Sequence, residues 1–318
     1  MDLVALQIFK AVAESGGVTR AAARLHRVQS NVTTRVKQLE AQLGTPLFHR
    51  HKGRLTLSAE GRVLLGYAER LLRLSAEAET ALRDGTPRGL LRFGSLESTA
   101  AVRLPALLGR YHRAWPEVQL QLVTGTTGDL VARVLNGELE AAFVAEPFTT
   151  QGLEALHAFT EELVLIAPRG LRGFGHVPVL AFAAGCSYRL RLQTWLQRSG
   201  IAPTRVMEYG SYHAIVACVA AGAGIALVPR SILGAVRHDA GLDLHPLPHD
   251  MAHAKTMLVW RTGHRSQTLD ALKSGLATSA QRAALPRRAG QSPASRSGAP
   301  RRGAARPPRR SSAPAASR

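Results

Sequence analysis

Residues 18–40, VTRAAARLHRVQSNVTTRVKQLE, decide the fold of the N-terminal part of this chain. The stretch predicts two short helices with a break at His26 and Arg27. The first helix is rich in alanine, a strong helix former, and Thr19 is placed to cap its N-terminus. Small side chains allow two helices that cross at a steep angle to approach closely. The stretch therefore predicts a helix-turn-helix.

The second predicted helix has one apolar and one polar side. Val32, Val36 and Leu39 recur at helical spacing, and Glu40 is the only acidic residue of the helix. Amide side chains pair with adenine edges, whereas hydroxyl and cationic groups hold phosphates. An ordinary solvated helix is the alternative, although such helices more often alternate Glu with Lys. The residues expected to contact DNA, including those of the basic segment that follows, are Thr19, Gln29, Ser30, Asn31, Thr33, Thr34, Arg35, Lys37, Arg50, Lys52 and Arg54.

Apolar and basic segments flank the predicted helix pair. Downstream, Gly44 ends the second helix, and Gly53 separates two strand-like runs that predict a small β-wing. Residues 1–58 contain nine Lys or Arg and three Asp or Glu, which gives a net charge near +6. A basic segment of this kind is typical of DNA-binding domains. Upstream, a helical stripe that can cover the pair is formed by Leu3, Leu6, Phe9, Val12 and Ala13.

A wider pattern carries a family resemblance, through Leu6, Phe9, Val12, Ala21, Ala22, Leu25, Gln29, Leu39, Glu40, Leu43, Gly44, Pro46, Leu47, Phe48, Arg50, Leu55, Thr56 and Gly61. With these residues the chain resembles LysR-type transcriptional regulators, and further matches extend to about residue 262. The resemblance implies a multidomain protein: an all-α winged helix-turn-helix domain, a long linker helix and an α/β, two-lobed effector domain similar to periplasmic binding proteins. The family commonly has Pro and Ala after the Gln, and Ser and Arg further on. In this chain those positions are occupied by Ser30, Asn31, Thr33 and Thr34. We therefore do not carry the base preference of the family over to this chain.

The composition is that of a globular protein with more than one domain. The chain has 318 residues, of which 45% are hydrophobic and 20% charged. We expect a cytoplasmic protein with no membrane partner, because no apolar run reaches spanning length and no signal segment is evident. The domain boundaries expected are 1–58 for the winged helix-turn-helix, 59–87 for the linker and dimerisation helix, 88–161 with 257–280 for lobe I, 162–256 for lobe II, and 281–318 for a disordered tail.

The linker and the tail each leave an alternative open. Ser58 is placed to cap the linker helix. A seam at alternating steps of three and four in this helix suits pairing between two chains, although packing on its own domain is the alternative. The family uses this element for dimerisation, so we expect a homodimer or homotetramer. The tail carries ten Arg and no acid, so the remaining residues carry +9 of the net +19. A disordered extension is favoured over an electrostatic arm that strengthens DNA binding. The seam consists of Leu64, Ala68, Leu71, Ser75, Ala78 and Leu82.

From Gly89 onward, strand-like and helix-like segments alternate, which predicts a mainly parallel sheet. Residues 162–168 are expected to start the second lobe. Hydroxyl-rich segments follow several strands, and open α/β sheets bind ligands at that end. We therefore expect a small-molecule effector, either a small organic anion or an amine, although simple helix capping is the alternative for each hydroxyl. The expected effector contacts are Ser98, Thr99, Thr126, Thr127, Ser187, Tyr188, Ser211, Tyr212 and His213.

Other functions receive less support. An enzyme using Ser98 or Cys186 with His213 lacks any nucleophile elbow, P-loop or dinucleotide motif. A transport-type solute-binding protein would not explain residues 1–58. We expect no catalytic residue, cofactor or metal. Histidines 245, 249 and 253 are spaced by four, but prolines interrupt them. Cys186 lies at a helix start, which can lower a thiol pKa, so redox sensing is a minor alternative. Double-stranded promoter DNA is the expected partner, with RNA polymerase as a further one.

Overall fold

The computed structural model of the protein describes residues 1–51, 54–81, 85–236 and 241–284. An N-terminal head is followed by a long helix and an α/β domain. The head and the long helix consist of α1 (Leu3–Ser15), α2 (Val18–Arg24), α3 (Gln29–Leu43), β1 (Phe48–His51), β2 (Arg54–Leu57) and α4 (Ala59–Ala81). The α/β domain consists of β3 (Gly89–Ser95), α5 (Glu97–Val102), α6 (Leu104–Ala114), β4 (Val118–Thr124), α7 (Thr127–Leu135), β5 (Ala141–Ala145), β6 (Leu153–Pro168), β7 (Val179–Ala181), α8 (Ser187–Arg198), β8 (Val206–Glu208), α9 (Tyr212–Ala220), β9 (Ala226–Pro229), α10 (Arg230–Ala235), β10 (Leu242–Pro246), α11 (His249–Ala252), β11 (His253–Arg261) and α12 (Gln267–Ala284).

The predicted helix pair forms the centre of the head. The apolar side of α3 is buried, with Val32 and Val36 packed against Ala21 and Ala22 of α2. Gly44 ends α3 in the left-handed region at φ 69°, as the sequence predicts. The proposed cap of α2 is wrong. Thr19 is the second residue of that helix and is exposed, and its N-cap position is taken by a glycine without a side-chain bond.

The wing is held to α3 by the one acidic residue of that helix. Glu40 turns inward, and its Oε1 accepts hydrogen bonds from the backbone N–H groups of Leu47 at 2.8 Å and Phe48 at 3.3 Å. β1 and β2 then pair antiparallel, with Phe48 opposite Leu57. The structure thus confirms the predicted winged helix-turn-helix. Because the Glu40 carboxylate is bound to the wing, it adds no exposed negative charge to the polar side of α3.

The long helix α4 presents two apolar faces. Ser58 caps it as predicted: its Oγ accepts from the Gly61 N–H at 2.8 Å and donates to the Pro46 carbonyl at 2.8 Å. The predicted seam is partly wrong, because Ala68 is fully buried against the head. Leu64 packs beside Ala68, and Leu82 lies outside the described residues. Leu71 of the seam is exposed, and it forms an exposed stripe with Val63, Tyr67 and Leu74.

One strand joins the two lobes of the α/β domain. β6 is 16 residues long; residues 153–162 pair with β11 of the first lobe, and residues 163–168 pair with β9 and β10 of the second. The sequence predicted only its second half. The first half alternates between half-buried and exposed positions, so it lacks the continuous apolar run of residues 163–167.

The sheet order is β10-β6-β11-β5-β3-β4, with β9 also on β6. The prediction of a mainly parallel sheet is wrong. The pairs β3–β4, β3–β5 and β7–β8 are parallel, whereas β6 and β11 run antiparallel to all their partners. The chain returns to the first lobe through β11 in the opposite direction. Among the described helices, none combines the length and apolar character that crossing a lipid bilayer requires.

Candidate DNA-binding and effector-binding sites

The N-terminal end of α3 presents polar side chains to solvent. Gln29, Ser30, Asn31 and Thr34 are exposed, and the preceding Val28 is 68% exposed. None of these side chains is used in the packing of the head. Because an α-helix can enter the major groove with its first residues facing base edges, this end of α3 has the geometry of a DNA-reading element.

The polar residues of α3 fall on two faces. Gln29, Thr33 and Lys37 are spaced by four residues and therefore share one face. The Thr33 Oγ1 donates to the Gln29 carbonyl at 3.0 Å, and Lys37 is exposed. Asn31 and Arg35 lie on another face, where an Arg35 Nη1 approaches the Asp2 carboxylate at 3.9 Å. The sequence treated these residues as one set, and the structure separates them.

The remaining predicted DNA contacts lie around α3. Thr19 is exposed near the start of α2. Arg50 and Arg54 belong to the paired wing strands, where their backbones lie opposite Leu55 and His51. Lys52 lies outside the described residues. The backbone of the wing thus carries Arg50 and Arg54 on the two strands that follow α3.

The second candidate site is a small pocket between the lobes, hereafter the interlobe pocket. It lies where β3 and β4 end and where α8 and α9 begin. Its volume is about 10 Å³, which is room for about one water molecule. Of the predicted effector contacts, it brings together Ser98, Ser187, Tyr188 and Tyr212. The full lining is Leu96, Glu97, Ser98, Gly125, Phe182, Cys186, Ser187, Tyr188 and Tyr212.

Two of the predicted hydroxyls tie the lobes together. Ser187 at the start of α8 donates to the carbonyl of Ala145 at 2.7 Å, and its Oγ lies 2.9 Å from the Thr127 Oγ1. Next to them, the Gly128 N–H donates to the Gly185 carbonyl at 3.1 Å. These contacts hold α7 against α8 in a closed arrangement. Thr127 is thereby saturated by protein groups and does not line the interlobe pocket.

The other predicted contacts do not line the interlobe pocket either. Thr126 caps α7, with its Oγ1 accepting from the Asp129 N–H at 3.3 Å. Thr99 is a buried residue of α5, Ser211 occupies the N-cap position of α9, and His213 is exposed. The expected effector contacts thus do not form one site. Some line the interlobe pocket, some lie at helix N-termini, and Ser187 and Thr127 connect the two lobes.

The predicted site set omitted Glu97, the one carboxylate that lines the interlobe pocket. Burial raises the pKa of Glu97, while the Tyr212 N–H and the nearby His213 act in the opposite direction. Its Oε2, the Ser98 Oγ and the Tyr188 OH are buried, and none forms a hydrogen bond of ordinary geometry with a described residue. In the sequence, the only sign of a role for Glu97 was its position just after a strand.

Cys186 is an unsuitable redox centre in this arrangement. Burial raises the pKa of its thiol, and this effect outweighs the backbone N–H groups of Arg189 and Tyr188, which act in the opposite direction. The thiolate is the reactive form, so a raised pKa disfavours oxidation. Among the described residues, no three side chains are grouped to hold a metal ion.

Two family profiles match consecutive parts of the chain. Residues 3–62 match the bacterial regulatory helix-turn-helix protein, lysR family, and residues 84–280 match the LysR substrate binding domain. The chain belongs to the LysR family. The resemblance inferred from the N-terminal motif is therefore confirmed, and it extends through the two-lobed domain.

Curated relatives of this LysR protein are named as regulators. YusT of Bacillus subtilis (strain 168), an uncharacterized HTH-type transcriptional regulator, is 42% identical over 260 residues, which cover 80% of this chain and 88% of YusT. The HTH-type transcriptional regulator GltR of the same strain is 38% identical over 268 residues, with 82% and 90% covered.

Solved LysR structures share the fold. CbnR, a LysR family transcriptional regulator, superposes with a TM-score of 0.62 at 25% identity, covering 88% of this chain and 99% of CbnR. A full-length OxyR variant from Pseudomonas aeruginosa has a TM-score of 0.63 at 22% identity, with 87% and 94% covered.

Membership in the family settles the choice between the functions considered from the sequence. This LysR protein is a DNA-binding transcriptional regulator with an effector-binding domain, and it is not an enzyme. Regulators of the family bind DNA and small-molecule effectors and form oligomers. The solute-binding and hydrolase alternatives are therefore set aside.

Proposed function

We propose that this LysR regulator binds its operator sequence-specifically through the N-terminal end of α3. Gln29, with Ser30 beside it, contacts base edges, and Lys37 contacts phosphates, as do Arg50 and Arg54 of the wing. Asn31, Thr33, Thr34, Arg35, Thr19 and Lys52 complete the proposed contact set. The observation that supports this proposal is the exposed polar end of α3 beside a basic wing.

Footprinting on the DNA upstream of the gene tests the proposal. The full chain is compared with a truncation after Ala284, which keeps the whole of α12. We expect a protected site with two half-sites in both, at physiological salt. Diffuse protection that disappears in the truncated protein would contradict the proposal, because the Arg-rich residues 285–318 would then supply the binding.

We infer that α4 brings two copies together as a homodimer. Its exposed stripe of Val63, Tyr67, Leu71 and Leu74 suits pairing with a second copy, because large apolar side chains in a row are costly to leave in water. Two heads then read the two half-sites of an inverted repeat, and pairing of two dimers gives the alternative homotetramer.

The assembly is tested by the substitution Leu74→Glu. We expect it to lower the mass measured by sedimentation, whereas Leu190→Glu, at a similarly exposed leucine of α8, leaves the mass unchanged. An unchanged mass for Leu74→Glu would place the interface elsewhere.

On DNA in the cytoplasm, we propose that the assembly contacts RNA polymerase.

The same proposal includes an effector at the interlobe pocket. Ser98, Tyr188 and Tyr212 line this pocket, and Ser187 holds the lobes closed. A ligand that binds the open and closed arrangements with different affinity would change their balance and thereby the spacing of the two heads. The test is a change in the operator footprint when a ligand of the pocket is added.

A further inference from the structure

The part of the chain that the structure describes gives the interlobe pocket a carboxylate and no cationic side chain. Among these lining residues Glu97 is the only charged one, beside Ser98 and three aromatic rings. We propose that the effector of this regulator carries a protonated amino group, which Glu97, Ser98 and Tyr188 receive. The inference rests on the proposed effector function of this pocket and selects an amine over an organic anion.

Three buried oxygens of residues that line the pocket match the needs of a primary ammonium group. An ammonium group has three N–H donors and no acceptor. The Glu97 Oε2, the Ser98 Oγ and the Tyr188 OH are buried and form no hydrogen bond of ordinary geometry with a described residue, although the Tyr188 OH lies near Ser98 and Thr256. Ser98 and Tyr188 are each only 3% exposed. A bound ammonium group could donate one hydrogen bond to each of the three oxygens.

Nearby cationic side chains are bound to other groups, which disfavours an anionic effector. Arg103 lies behind Tyr188 and forms two hydrogen bonds with Glu161, at 2.6 and 3.0 Å. Arg189 at the start of α8 binds the Phe182 carbonyl and Glu208. A carboxylate ligand would meet the negative charge of Glu97, and no described residue of the pocket lining carries a positive charge; His213 lies near Glu97 but outside the lining.

The aromatic walls favour a cation as well. The rings of Phe182 and Tyr212 lie 4.8 Å apart, tilted by 49°, and both line the interlobe pocket together with Tyr188. Aromatic faces attract ammonium groups electrostatically, and more strongly where water is excluded. Burial raises the pKa of the Glu97 carboxyl, and a neighbouring cation would stabilise its ionised form.

The size of the pocket limits what part of the effector it holds. A volume of about 10 Å³ accepts one water-sized group, and a primary ammonium group has about that size. The remainder of the effector extends into the space that opens when the contacts of Ser187 with Ala145 and of Gly128 with Gly185 separate. The effector therefore enters an open arrangement of the lobes and is held by its amino end.

Propylammonium and propionate provide matched probes for the test. We expect the melting temperature of the full chain at pH 7 to rise with propylammonium chloride but not with sodium propionate at equal ionic strength. In Glu97→Gln, the apparent affinity for propylammonium should fall about tenfold or more, since hydrogen bonds to charged groups are the strong ones. In Ser98→Ala, which keeps the carboxylate, it should fall several-fold.

Glu146→Gln is the control, because Glu146 also ends a strand but lines a different cavity. It should bind propylammonium like the unchanged protein. Tighter binding of propionate, no binding of propylammonium, or unchanged affinity in Glu97→Gln would overturn the inference. Parallel footprints separate this failure from failure of the proposed function: a propionate-dependent footprint would retain the effector role while rejecting the amine.

Discussion

The head and the interlobe pocket differ in how they assemble polar side chains. In the head, Gln29, Thr33 and Lys37 come from one helix and lie on its exposed side. In the pocket, Glu97 and Tyr188 are 91 residues apart in the chain, and Tyr188 is buried while Glu97 is half-buried. A site made by one helix follows from local periodicity, whereas a site made between lobes depends on the whole fold.

The energetic difference between these regions is also clear. Exposed polar groups on α3 remain hydrated until DNA arrives, so they cost little in the free protein. A buried polar group without a partner costs about 1–3 kcal/mol. A ligand that donates hydrogen bonds to the buried oxygens of Glu97, Ser98 and Tyr188 would therefore stabilise the effector domain.

The largest expected effect concerns the buried ion pair behind the pocket. Glu161 is almost fully buried and is held by Arg103 and by the Ser231 hydroxyl at 2.8 Å. Arg103→Ala would leave that carboxylate unpaired, and we expect a loss of about 3 kcal/mol, the lower end for buried pairs because Arg103 is itself partly exposed. Denaturant unfolding followed by tryptophan fluorescence measures this loss.

The neighbouring ion pair supplies the control for Arg103→Ala. Arg230 and Glu162 lie 2.9 Å apart, but both are about half exposed, so Arg230→Ala should cost less than about 1 kcal/mol. All three tryptophans, Trp115, Trp195 and Trp260, belong to the α/β domain, so the signal reports that domain and not the head. Equal losses for the two variants would contradict the difference in burial.

The next prediction concerns a glycine at the junction of head and linker. A Cβ at Gly61 would lie 2.2 Å from the Leu47 carbonyl oxygen, which is backbone and cannot swing away. We expect Gly61→Ala to destabilise the head by about 2 kcal/mol through overpacking. Circular dichroism of thermal unfolding should show an earlier helical transition, while the tryptophan transition stays in place.

Gly66→Ala is the matched control on the same helix. A Cβ there meets no atom within 4 Å, so replacing glycine in an exposed helix interior should stabilise by about 1 kcal/mol. If both substitutions stabilise the protein, the close contact between α4 and the wing is not maintained in solution.

A third prediction tests the reading face of α3. Gln29→Ala should reduce discrimination between operator and scrambled DNA by about 1–3 kcal/mol, because a bidentate base contact is lost. Gln42→Ala, at the far end of the same helix and also exposed, should leave discrimination unchanged. Binding isotherms on both DNAs measure the difference, and retained discrimination in Gln29→Ala would reject the assignment.

The smallest effect is expected for Lys37→Ala. Loss of one phosphate contact should weaken binding to both DNAs alike and reduce the slope of log K against log salt by about 0.9. Titrations at several salt concentrations provide this slope. A sequence-dependent loss would mean that Lys37 reads a base, as Gln29 is proposed to do.

Most of the head could be predicted from the sequence. The helix periodicity of Val32, Val36 and Leu39, the stop at Gly44 and the cap at Ser58 are local signals, and the structure confirms them. The Thr19 cap was wrong because α2 begins at Val18, one residue before Thr19. A local sequence pattern does not fix the first residue of a helix. The linker seam was partly wrong because apolar spacing does not say which neighbour covers each face of α4.

Local sequence alone determined the helix-turn-helix, the wing and the family to which the chain belongs, because each depends on residues close together in the chain. Only the tertiary structure decided that β6 runs through both lobes and that Thr127 is saturated by protein groups. It likewise decided that Glu97 lines one pocket together with three aromatic residues. The physical reason is burial. The same hydroxyl or carboxylate can cap a helix, connect two lobes or contact a ligand, because distant segments of the chain decide which groups surround it and whether water reaches it.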